Sequence, residues 1–376
     1  MKVIIAGDFT TEERGFSSVI SGNAISEDIC NLFKSADFSI LNLEAPIADS
    51  SCTKITKAGP HLHTVPIAIE YLKSCGINAV TLANNHLCDF GKGGLRLTLD
   101  HLNRNGIKYV GGGMNAKEIS KPLHLNTPDG KIAILNYCEH EYSIQNGWGS
   151  NPLDLVKCYN QIIDVKKNSS VVIVIVHGGH EGYNLPSPRM QDTYRFFIDC
   201  GVNIVINHHQ HCYSGYEEYH GGFIYYGLGN FFFDSQAETS KMWTEGFFLS
   251  INIERNSIKE IKTYPYVQCR DDAVVTLMTD KAKDDFLSNI IKLNKIIIDR
   301  SNLTKHFVKF CNKIKRNYSI VLAPYSNRFI RAMAKRHLLP TFITPKRIRL
   351  LENFVNCESH RDILIESLKK KNEQKN

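Results

Sequence analysis

Apolar residues gather into short unbroken runs through the first two thirds of the chain. VIIAG at 3–7, SILNLE at 39–44, NAVTLA at 78–83, IAILNY at 132–137, VVIVIVH at 171–177 and NIVINHH at 203–209 are rich in Val and Ile. Runs this short and this apolar read as strands covered on both faces. Between them, IAIEYLKSCG at 67–76, GLRLTLDHLNRNG at 94–106 and MQDTYRFFIDCG at 190–201 carry apolar residues at helical spacing, and each closes on a glycine. A glycine just past such a stretch marks a helix C-terminus. Strand and helix alternate, which predicts a layered α/β domain. The pattern changes over 222–266, where GFIYYGLGNFFFD and EGFFLSINIERNSIKEIKTYPYVQ are aromatic-rich and alternating, as expected of antiparallel strands that close the sheet system. From about residue 270 the chain becomes Lys-, Ile- and Leu-rich with helical spacing. The predicted organisation is an α/β domain over 1–268 and a basic, mainly helical region over 269–376.

The strand ends carry the chemistry. VIIAGDF ends on Asp8, SILNLEAP on Glu44, and the run before ANNHLCDFG leads into Asn85 and His86. VVIVIVHGGHE ends on His177 with Glu181 close behind, and VNIVINHHQH on His208, His209 and His211. Ligands of open α/β sheets bind at the carboxyl ends of the strands. Five such ends bearing Asp, Glu, Asn and His are expected to converge on one rim, which is a metal-site pattern. An Asn amide oxygen can ligate a divalent metal, and the imidazole beside it can protonate a group on a bound substrate. His209 and His211, two apart, would share one face of an extended segment, with His208 turned away. Each residue also has a plain structural role open to it: Asp8 as a helix N-cap, Glu44 as a loop acid, Asn85–His86 as a polar turn, His177 as a core histidine. Gly111–Gly113 lacks the Lys-Ser/Thr of a phosphate-binding loop and reads as a tight turn.

Composition narrows the setting. The 376 residues are 43% hydrophobic and 22% charged, ordinary values for a globular chain. Eleven cysteines occur singly with no C-x-x-C pair, which predicts free thiols and a reducing, cytoplasmic compartment. No run approaches the length of a membrane span, roughly 20 apolar residues. The net charge of +7 is uneven, because residues 301–376 hold 17 Lys and Arg against 5 Asp and Glu.

Taken together, GDF at 7–9, NLEAPI at 42–47, ANNHLCDFG at 83–91, VGGGMN at 110–115, HGGHE at 177–181, PSPRMQ at 186–191, HHQH at 208–211 and YGLGNFFFD at 226–234 resemble the CapA family of capsule or poly-γ-glutamate synthesis proteins. That family is similar to the calcineurin-like metallophosphoesterases. The resemblance covers roughly residues 1–235 in the family's order. It implies a four-layer metallophosphoesterase-like sandwich with a C-terminal helical extension. It also implies one or two divalent ions (Mn, Zn or Fe) that activate water and neutralise phosphoryl charge. By the same resemblance Asp8, Glu44, Asn85, His177, His209 and His211 would hold metal. His86, with Asp8, would be catalytic. Read from the residues themselves, Asn42, Asp89 and Glu181 could orient the ligands, with a surface role equally open to Asp89 and Glu181. Thr10 stands where the family's first motif usually has a histidine, and His63 or His180 could replace that ligand.

The implied function is a metal-dependent hydrolase or transferase in capsule or extracellular-polymer biosynthesis, acting on a phosphate ester or polymer precursor. The alternative is a non-catalytic assembly or polymer-binding subunit of a capsule-synthesis complex with a vestigial site. The basic tail would meet an anionic polymer or lie at a membrane surface, peripheral to it. Phe307, Phe310, Ile314, Ile330 and Met333 sit among its charges at roughly helical spacing, so docking on the body is the competing outcome. No nucleic-acid motif is present, so no nucleic-acid partner is expected.

Overall fold

The computed structural model describes residues 1–373 except 13, 129, 236–239, 323–328, 330–332, 334, 335, 337 and 339–343. The apolar runs form two facing sheets. One has eight strands in the order Val275–Leu277, Ser257–Gln268, Glu245–Glu254, Lys2–Phe9, Phe38–Leu43, Ala79–Thr81, Lys108–Val110, with Asn230–Phe232 pairing beside Lys2–Phe9. The other has six, Tyr216–Tyr219, Gly222–Tyr225, Ile204–His208, Val171–His177, Gly130–Cys138 and Leu123–Thr127.

Alternation along each strand sets the layers. Ile4, Ala6, Leu41 and Val80 of the first sheet pack with Val19, Phe33, Leu72 and Leu95 of helices Arg14–Ile20, Glu27–Lys34, Ile67–Ser74 and Gly91–Arg104. Val3, Ile5, Ile40 and Ala79 share the other core with the second sheet. Helices Leu155–Lys166 and Pro188–Asp199 bring Cys158, Ile162, Tyr194 and Phe197 into that core and rest on the second sheet. The result is the expected four-layer helix–sheet–sheet–helix sandwich. Burying each large aliphatic or aromatic side chain contributes ~1.5–3 kcal/mol, which is why unbroken apolar runs mark strands covered on both faces.

Strand direction departs from expectation in the aromatic-rich stretch. Gly222–Tyr225 runs parallel to Ile204–His208, and Asn230–Phe232 runs parallel to the first strand. Glu245–Glu254 and Ser257–Gln268 do pair antiparallel. Residue pattern reports burial, whereas direction follows from how the chain connects.

Helices Asp280–Ile298, Arg300–Leu322, Pro345–Asn356 and Glu358–Glu373 form the extension, and they dock on the sandwich. Phe286 packs 4.5 Å from Tyr213, ring to ring, and Phe310 stacks on Tyr183 at 4.2 Å. Phe307 is buried beside His180, and Ile314 packs on the same core. Met333 is exposed, and Ile330 lies outside the described residues. Arg189 of the sandwich bridges Glu139 and Asp362 at 2.7 Å each, tying the last helix down. Among the described residues no helix is long and apolar enough to cross a membrane.

Candidate metal centre

Parallel strands deliver their carboxyl ends to one edge of a sheet, and here the edges of both sheets face each other. Asp8 is level with Asn42 on the neighbouring strand and with Asn230 on the other side. The strand before it can run this close only because residue 7 is glycine: a Cβ there would meet the Gly229 carbonyl oxygen at 1.9 Å. In the second sheet His177 is level with His208. The loop carrying Asn84, Asn85 and His86 is held from below by Asn136, whose Oδ1 accepts from the Ala83 amide at 2.7 Å. Gly111 leaves room for that amide, since a Cβ there would lie 2.1 Å from Asn136 Oδ1.

All six residues expected to hold metal meet at this edge. His177 is the hub. Its Nε2 lies 3.0 Å from Asn85 Oδ1, 3.1 Å from His209 Nδ1 and 3.8 Å from Glu44 Oε1. Its Nδ1 lies 3.8 Å from Asp8 Oδ1. His211 reaches Glu44 Oε1 at 3.6 Å and Asp8 Oδ2 at 3.9 Å. Asn42 donates to Asp8 Oδ1 at 2.7 Å and approaches His177 Nδ1 at 3.2 Å. The backbone amide of His209 donates to Asp8 Oδ2 at 3.1 Å. Three overlapping groups offer ligand atoms within 4.8 Å of one another: Glu44, His177 and His209; Asp8, Glu44 and His211; Glu181, His209 and His211.

The electrostatics fit a cation. Glu44 is fully buried, and neither carboxylate oxygen has a hydrogen-bond donor among the described residues. An orphaned buried carboxylate is costly unless something else satisfies it. Burial, then the nearby Asp8, Glu181 and Asp89 charges, push its carboxyl well above the usual range. Burial, then His209, His208 and His211, hold the His177 imidazole well below its ordinary value. Acids reluctant to ionise beside imidazoles that stay neutral are relieved together by a positive ion, which needs carboxylates and neutral imidazoles as ligands. The residues present therefore fit one or two divalent metals.

His86 stands beside this nest. Its Nδ1 contacts Asp89 Oδ2 at 2.7 Å, while Asp89 also takes the Leu62 amide at 2.8 Å and pairs with Lys57 Nζ. Asp89 thus fixes the ring through Nδ1. Burial, with Lys57 adding to it against the Asp89 hydrogen bond, lowers the His86 pKa.

Several expectations need correction. His209 and His211 do not share an extended segment; both have left-handed backbones, φ 85° and 54°. That turn brings both rings to the rim, at the strain non-glycine residues carry there. His208 does not point away. Level with His177, it faces the same side, with Nδ1 3.8 Å from Asp8 Oδ1 and neither ring nitrogen hydrogen-bonded. Neither proposed replacement for the missing first-motif histidine arrives. His63 packs between Phe16 and Phe90 at ring separations of 5.5 and 5.6 Å. His180 is enclosed by Tyr183, Phe307 and Phe310, where burial pushes its pKa down to about 3. Glu181 reaches His209 and His211 from the exposed mouth, so it stands among the candidate ligand atoms as well as behind them. Sequence reasoning missed Asn230, whose Oδ1 lies 2.9 Å from His211 Nδ1, and Lys57, 3.2 Å from His86 Nδ1.

A buried cluster of carboxylates and imidazoles thus lies at the facing strand ends of a four-layer α/β sandwich. The family model of the bacterial capsule synthesis protein PGA_cap matches residues 2–235, more than half of the chain, and the chain belongs to that family. It is 30% identical over 211 residues to the capsule biosynthesis protein CapA of Bacillus anthracis, covering 54% of this chain and 51% of that one. With the PGA biosynthesis protein CapA of Bacillus subtilis it shares 28% over 229 residues, covering 60% and 59%. The chain thus spans about half the length of the relatives it matches. Among solved structures, a novel phosphatase from Mycoplasma pneumoniae superposes with a TM-score of 0.43 at 14% identity, covering 76% of this chain and 96% of that one. The matched family region contains every residue of the centre, whereas the helical extension lies beyond it.

Proposed function

We propose that the chain is a metal-dependent phosphoesterase-type hydrolase or transferase that serves capsule or extracellular-polymer synthesis. The observation that carries this reading is the buried, orphaned Glu44 carboxylate amid imidazoles at the strand-end rim. Asp8, Glu44, Asn85, His177, His209 and His211 would hold one or two divalent ions of the Mn, Zn or Fe kind, with His208 close enough to join them. When bound, such an ion supplies Lewis acidity toward a phosphoryl oxygen and lowers the pKa of a water. The protein's own part is then positional. Asn42 fixes the Asp8 carboxylate, Asp89 fixes the His86 ring, and His86 Nε2 delivers a proton to the leaving oxygen.

Phosphodiester and phosphomonoester assays with Mn2+ test this on the wild type and His86→Ala. The expected result is metal-dependent turnover that falls ~10²–10⁴-fold in the variant while bound metal is kept. Thr10 at the first-motif position favours a second reading, a non-catalytic assembly or polymer-binding subunit. No turnover by metal-loaded wild type on either substrate class would select it. The basic tail supplies attraction for an anionic polymer or membrane surface, and sedimentation of the full chain with acidic vesicles should weaken as salt rises.

A further inference from the structure

A second cluster of ligating side chains lies where the extension meets the sandwich. Glu141 follows the strand Gly130–Cys138, and Cys357 sits between helices Pro345–Asn356 and Glu358–Glu373. His360 comes three residues after Cys357, so one helical turn brings thiol and imidazole to the same side. Glu141 Oε1 lies 3.3 Å from Cys357 Sγ and 3.6 Å from His360 Nε2. All three ligand atoms fall within 4.8 Å of one another. Corners of a tetrahedron whose ligands stand ~2.0–2.3 Å from a zinc ion are separated by roughly 3.3–3.8 Å, so these spacings need little change to accept one. Glu139 nearby is already taken by Arg189 and Ser359, whereas Glu141 makes no ion pair with Lys or Arg among the described residues.

We propose that Glu141, Cys357 and His360 form a separate site for Zn2+ or a similar thiophilic divalent ion, completed only when the helical extension docks. Two of its three side chains, Glu141 and His360, line a cavity of about 200 Å³ whose walls also include Glu181 and His209. An ion here clamps the extension to the sandwich and sets a positive charge across that cavity from the strand-end centre. The donor set differs from that centre in one decisive respect: it includes a cysteine sulfur, which a bound ion would take as thiolate. The two sites can therefore be read apart, and this proposal does not depend on the hydrolase reading.

The test is the absorption spectrum of the full chain loaded with Co2+. The expected result is a near-ultraviolet thiolate-to-cobalt charge-transfer band that persists in His209→Ala and vanishes in Cys357→Ser, with one fewer cobalt ion per chain in the latter. Absence of the band in cobalt-loaded wild type overturns the proposal, as does its survival in Cys357→Ser. Should Cys357→Ser fail to fold, His360→Ala takes its place: loss of the cobalt ion supports the site, and full retention of band and cobalt overturns it.

Discussion

The rim of strand ends and the helical wall facing it are built in different ways. The rim draws on residues between Asp8 and Asn230, each held by strand register or by a turn leaving a strand, with carboxylates and imidazoles as its chemistry. The wall draws on Ser359, His360 and Ile363, placed by helix docking, aromatic stacking and the Arg189–Asp362 pair. Register is enforced by continuous backbone hydrogen bonding, so the rim is preorganised. Docking rests on side chains, so the wall can be loosened without dismantling the rim. One chain thus presents an edge set by strand register and a cover set by side-chain docking.

The sharpest way to break this contrast is to strike the rim alone. His209→Ala deletes a proposed ligand that lies 3.1 Å from His177, and it should bring turnover to assay background and lower bound metal while the fold persists. Turnover close to wild type would remove His209 from the machinery. Striking the wall should read out as stability. Phe307 is buried against His180, and Phe307→Ala should cost ~3–5 kcal/mol in chemical unfolding. A cost near zero would mean that the extension is not seated on the body in solution.

Acid offers a gentler probe of the same joint. Burial opposes ionisation of Glu139, but Arg189 and Ser359 outweigh it and hold its carboxyl down to about 2. A depressed folded-state value stabilises above the unfolded value, and that stability is lost as pH falls from about 4.5 toward about 2. Wild type should therefore lose more thermal stability over that window than Glu139→Gln. Parallel curves for the two proteins would show that the Glu139–Arg189 contact does not hold the joint.

Legibility followed the same divide. The strand ends bearing Asp8, Glu44, Asn85, His177, His209 and His211 could be read because apolar runs stop abruptly on ligating residues, and parallel sheets align such ends. Side-chain direction was less legible. His208 was misplaced because alternation was carried past the strand's end, where the left-handed turn at His209 breaks it. Glu139 and Glu141 were within reach of the same reasoning, since they follow the strand Gly130–Cys138, yet Ser359 and Cys357, which they contact, lie more than 200 residues on. Lys57 gave no signal: it sits in an irregular loop, and only folding sets it against Asp89. Contacts made by docked helices depend on geometry that no local pattern encodes.

The central claim is that the strand-end cluster is a metal centre, and binding tests it more directly than turnover. The 376-residue chain stripped of metal should regain Mn2+ or Zn2+ on dialysis, and its melting temperature should rise as the ion binds the folded state. Glu44→Gln, which removes the charge of the orphaned carboxylate, should lose most of that ion and most of the rise. Wild-type protein that retains no metal, and whose melting temperature is unmoved by added Mn2+ or Zn2+, would contradict the account.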